Sequence, residues 1–110
     1  MPEPTDDDLN TMYDAALAFG PDWRRPLLEL AGERLPQRSA DYRAAVAALI
    51  EACRGDIEEF IDSEYRRLAG RWSPGAGESV DAWIVQHYGW MTAQNRKHAI
   101  SQGIYYAWHG

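Results

Sequence analysis

One stretch constrains this chain more than any other: SADYRAAVAALIEACRGDIEEFIDSEYRRLAG, residues 39–70. Its apolar residues fall at Tyr42, Ala45, Val46, Leu49, Ile50, Cys53, Ile57, Phe60, Ile61, Tyr65 and Leu68. Steps of three and four mark one face of a helix, and the phase survives Gly55 without a slip. A single helix of about 29 residues is about 43 Å long, whereas a compact domain of this size has a radius of gyration of about 13 Å. The helix therefore either bends at Gly55, with Asp56 and Glu59 recapping it, or projects and needs a second surface to cover its stripe. The unbroken phase favours one long helix, straight or kinked at Gly55, and makes a homodimer a natural way to cover the stripe.

The remaining segments also read as helical. In TDDDLNTMYDAALAFGP, Thr5 is placed as an N-cap with Asp8 in the reciprocal position. Leu9, Met12, Tyr13, Ala16 and Leu17 form the apolar stripe, and Gly20-Pro21 ends it. DWRRPLLELAGERLP predicts a shorter helix with Pro26 in its first turn and Pro36 beyond its end. Ser39 caps the central helix. GRWSPGAGES is read as the one clear loop, and the last helix is expected to start at Glu78 or Ser79 and either end at Gly103 or extend a turn or two into the aromatic tail. The alternating β-branched runs of a sheet are missing. The expectation is an all-α single domain, residues 1–110, built as a small antiparallel bundle of four or five helices. Two long helices, about 40–69 and 79–103, carry the core, and two shorter N-terminal helices lie across it.

Charge and cysteine usage narrow the function classes. The net charge of −6 is concentrated at the start, where Glu3, Asp6, Asp7, Asp8, Asp14 and Asp22 precede the first basic residue. The rest of the chain balances, and no basic stripe exists to release counterions from nucleic-acid phosphates. No apolar run is long enough for a membrane span. A single Cys fits a reducing cytoplasm, and ten Arg beside one Lys fits a GC-rich bacterial genome.

Candidate chemistry is sparse. His87 and His98, eleven residues apart on one predicted helix, would stand about 16 Å apart and cannot share an ion, so no metal and no cofactor are expected. Gly75-Ala76-Gly77-Glu78-Ser79 lacks the Lys and the preceding strand of a phosphate loop. Cys53 lies on the apolar stripe, where an inert buried thiol is the rule. Two features carry more. Glu51, Asp56, Glu58, Glu59, Asp62 and Glu64 crowd the second half of the central helix, with Glu58 and Asp62 four apart, an acidic face suited to a basic protein partner. The chain then finishes on QGIYYAWHG, where Tyr105, Tyr106 and Trp108 either fold back to close the bundle, burying Trp108, or wait for a partner. Docking back, at least in part, with a Tyr left exposed, is the favoured outcome.

These residues favour a small acidic cytoplasmic protein that acts by occluding a protein partner, of the immunity-protein or antitoxin type, with Glu58, Asp62, Tyr105, Tyr106 and Trp108 at the contact. The alternative is a ligand-binding bundle or small enzyme whose pocket, between the last two helices, is lined by Trp83, His87, Trp90, Asn95 and His98. A structural homodimer or assembly subunit is the third reading. No catalytic constellation is present in the sequence, which favours a binder over an enzyme.

Overall fold

Thr5 opens the first helix as its sequence position requires: its Oγ1 accepts the Asp8 backbone N–H at 3.1 Å, and α1 spans Asp6–Leu17. In the computed structural model, which describes residues 3–18 and 24–109, α1 is followed by α2 (Leu27–Arg34), α3 (Ala40–Arg67), α4 (Pro74–His87) and α5 (Ala93–His109). The chain is all-α, with five helices and no strand among the described residues. The expected stop at Gly20-Pro21 lies outside the described residues; α1 itself gives way to extended backbone at Ala18.

The chain divides into two compact units, residues 1–52 and 53–110, with the boundary inside α3. In the first, α1 packs on α2. Met12, Tyr13, Leu17, Leu30, Leu35, Val46 and Ile50 are fully buried there. Asp8 does not complete a reciprocal cap. Its carboxylate instead accepts the Tyr42 hydroxyl at 2.6 Å and the Arg38 Nε–H at 2.9 Å, and Tyr42 Oη accepts the Thr5 N–H at 3.0 Å. The Arg38 guanidinium lies over the Tyr42 ring, 4.9 Å from its centroid. A buried polar residue thus has its acceptors occupied, the condition for its burial. Ser39 caps α3 through the Tyr42 N–H at 3.1 Å.

In the second unit, Cys53, Ile57, Ile61, Val80 and Ile84 form the core. The helical phase read through Gly55 corresponds to an uninterrupted α3. Of its stripe, Leu49 is the exception at 50% exposed. The end of α3 is a Schellman turn: the Gly70 N–H bonds Tyr65 C=O and the Ala69 N–H bonds Arg66 C=O, both at 3.0 Å. Ala69 takes the left-handed conformation there, φ 54°.

Two boundaries differ from expectation. The GRWSPGAGES loop is shorter than read, because Ser73 rather than Ser79 is the cap, its Oγ accepting the Ala76 N–H at 3.3 Å. Pro74 takes the first helical position, where its missing N–H costs nothing. The single helix expected over 79–103 is two helices. α4 ends at His87, and Thr92 starts α5 by accepting the Asn95 N–H at 3.2 Å. The turn between them is held by Arg96, which donates to Asp81 Oδ1 at 2.8 Å and to the Met91 carbonyl at 3.0 Å. α4 and α5 can therefore pack on one another. Of the two ends expected for the last helix the longer holds: α5 runs through Gly103 to His109, and a Cβ at Gly103 would overlap Ile61 Cδ1 and stand 3.3 Å from Ile61 Cβ. An alanine at 103 needs the Ile61 side chain to shift, because α5 crosses α3 this closely.

Candidate functional site

The last turns of α5 carry an aromatic edge. Helical spacing places Ser101, Tyr105, Trp108 and His109 on the solvent side. Trp108 is 69% exposed and Tyr105 44%, and Tyr106 is half-buried. The rings support one another: Tyr105 meets His109 at 4.3 Å and Tyr106 edge-on at 5.6 Å, and Trp108 meets His109 edge-on at 4.6 Å. The expectation that Trp108 folds back into the core is overturned. Helix α5 continues to His109, and its rigid geometry holds Trp108 on the face opposite buried Ala99, Gln102 and Gly103.

The acidic face of α3 is partly neutralised. Asp62 pairs with Arg66 at 3.1 Å and Glu64 with Arg67 at 2.7 Å. The hydrogen bond from Arg67 holds the Glu64 carboxyl below its usual range. Glu58 is half-buried on the same helix. The ring contacts gather Tyr105, Tyr106 and Trp108 at one helix end, whereas Asp62 is turned to its own helix.

The ligand-binding set is brought together only in part. Trp83 stacks on Phe60 with centroids 4.4 Å apart and planes at 8°, and on His87 at 4.3 Å. His87 Nδ1 lies 2.8 Å from the Trp83 carbonyl oxygen. Tyr88 bridges Trp83 and Trp90 edge-on, at 6.1 and 6.3 Å. Asn95, buried, and His98, half-buried, lie beyond the turn on α5. His87 and His98 thus stand on different helices, not on one helix as expected, because the turn at 88–92 separates them. No group of three His, Cys, Asp or Glu able to hold a metal exists among the described residues. A cleft of about 440 Å³ lined by α4 and α5 residues is bordered by Pro74, Gly77, Glu78, Asp81, Lys97 and Ile100 among others; it is a different place from the pocket expected between the helices read as 40–69 and 79–103.

A second, smaller cleft of about 280 Å³ is lined by Asp56, Glu59, Phe60 and Ser63 of α3 and Trp83 of α4; it lies where the ligand pocket was expected and takes in Trp83, but its α3 residues were not among those predicted. The signal was present: 56, 59, 60 and 63 share one face of α3. Their pairing with Trp83 was not readable without the packing of α4. Cys53 is buried, and burial with the nearby Asp56 charge pushes its thiol up to about 12. Tyr88 is pushed well above its ordinary value by burial and by donating its hydroxyl hydrogen bond to Asp56. No helix among the described residues is long and apolar enough to cross a membrane. Comparison with protein families, with curated proteins and with solved structures finds no match to this chain.

Proposed function

We propose that this chain is a binding protein that occludes a protein partner, of the immunity-protein or antitoxin type, through the aromatic edge of α5. The observation that carries the reading is Trp108, 69% exposed on a helix beside exposed Tyr105. Large aromatics with rigid, shared packing are the side chains that anchor interfaces, since they bring contact area at little entropic cost. The net charge of −6 and Glu58 and Asp62 on α3 favour a basic partner and salt-sensitive association.

The test uses the intact chain and Trp108→Ala as baits in a native-source lysate, followed by purification of the captured protein and titration against both. Trp108→Ala should weaken binding about 30-fold or more, with an unchanged helical circular-dichroism spectrum. Equal affinity of the two baits sinks the reading. If the intact chain instead sediments as a dimer that Trp108→Ala dissociates, the edge joins two copies and the third reading replaces this one.

A further inference from the structure

We propose that the groove between α4 and α5 seats a basic amphipathic helix of the protein partner, which runs on over the aromatic edge of α5. The proposal rests on the reading of that edge as an interface. Three observations carry it. The groove holds about 440 Å³, and Lys97, Ile100 and Ser101 line it from α5. Helical spacing puts these on one face with Ile104, Tyr105 and Trp108, opposite buried Asn95, Ala99 and Gln102. Groove and edge are therefore one strip, about 16 Å from Lys97 to Trp108. The other wall repeats the pattern: Pro74, Glu78, Asp81 and Ala82 line the groove from α4, and exposed Val85 continues their face. Finally, Val85, Tyr105 and Trp108 are three of the five large apolar side chains exposed among the described residues, and the other two, Leu28 and Leu49, belong to the first unit. Apolar surface concentrated in this way marks an interaction site.

The chemistry of the strip selects its occupant. Both walls are helices whose backbone hydrogen bonds are internal, so an extended peptide would find no N–H or C=O to pair with. A helix satisfies its own backbone and can lay one apolar side chain per turn between α4 and α5. The small residues Gly77 and Ala82 on the α4 wall let it come close. Charge sets its flanks. Asp81 is already paired with Arg96, while Glu78 lines the groove from α4 and Lys97 from α5. The docked helix therefore carries a basic residue on the α4 side and an acidic one on the α5 side. The net charge of −6 tips its remaining charges towards basic and repels a second copy of this chain.

The experiment selects displayed random peptides of about 16 residues on the full chain, then titrates the enriched sequences, made synthetically, against the chain and its variants. Enriched peptides should carry apolar residues three and four apart, hold more Lys and Arg than Asp and Glu, and become helical on binding. Ala82→Arg and Ser101→Arg, both at exposed positions in the groove, should weaken binding about tenfold or more. Ala48→Arg, at an exposed position in the first half of α3, should leave it within about twofold. Trp108→Ala should weaken it as the groove variants do. The proposal is overturned if no peptide is enriched, if the enriched sequences lack helical spacing, or if both groove variants bind as the parent does. In that last case, loss with Trp108→Ala alone leaves the aromatic edge standing as an interface, whereas no loss with any of the three removes both readings. A dimer of the free chain that Ala82→Arg dissociates puts a second copy in the groove and overturns the proposal too.

Discussion

The two halves of the chain solve the same problem with opposite chemistry. In residues 3–52, a buried carboxylate is the keystone: Asp8 takes hydrogen bonds from Tyr42 and Arg38 and gathers the starts of α1 and α3. In residues 53–109, rings and a glycine serve that purpose. Phe60, Trp83, His87, Tyr88 and Trp90 form a chain of ring contacts, and Gly103 lets α5 lie directly on Ile61. A polar keystone fails when one partner is lost, because the remaining group is left buried and unpaired. An apolar crossing fails when an atom is added, because close packing has no room to yield. The second half also leaves more of its rings accessible, and both proposed binding surfaces lie there.

Substitutions can break this contrast. The largest effect is expected from Asp8→Ala, which strips Tyr42 and Arg38 of their shared acceptor and costs about 3 kcal/mol, discounted because Arg38 is partly exposed. Hydrogen exchange should report the loss first in the amides of α1 and the start of α3. Gly103→Ala should cost about 2 kcal/mol through its overlap with Ile61, read in the amides of α5, with Ile61→Ala on the Gly103→Ala background recovering part of it. If Asp8→Ala loosens α5 amides as much as α1 amides, the two halves share one network and the contrast fails.

Smaller substitutions sharpen the picture. Gly55 meets nothing within 4 Å of an added Cβ, so Gly55→Ala should stabilise by about 0.5–1 kcal/mol in a thermal or urea melt. At the other end of α3 the logic reverses. Ala69 holds φ 54°, and Ala69→Gly should stabilise by about 1 kcal/mol by removing the Cβ from a left-handed turn. A loss at either position would mean that the helix end or its middle is held by something other than backbone preference.

The legibility of this chain divides along a physical line. What the sequence by itself determined is what depends on neighbours three or four residues away. The helical class, the caps at Thr5 and Ser39 and the phase of α3 through Gly55 are of this kind, as is the burial of Cys53 on the apolar stripe. Even the start of α4 was legible, since Ser73-Pro74 is a cap followed by a first-turn proline; Ser79 drew attention because the glycines suggested a loop. Gly89 with Thr92 and Asn95 likewise encodes the break between α4 and α5, outweighed by an apolar surface that runs across it. Only tertiary structure decided where Asp8 turns, since Tyr42 and Arg38 lie 34 and 30 residues away. It likewise decided that Gly103 is a crossing point rather than a helix end, that Asp56 and Glu59 share a cleft with Trp83, and that Trp108 stays in solvent. Periodicity names the face a residue occupies; which side chains meet across helices is set by packing between distant segments, and no local pattern carries that information.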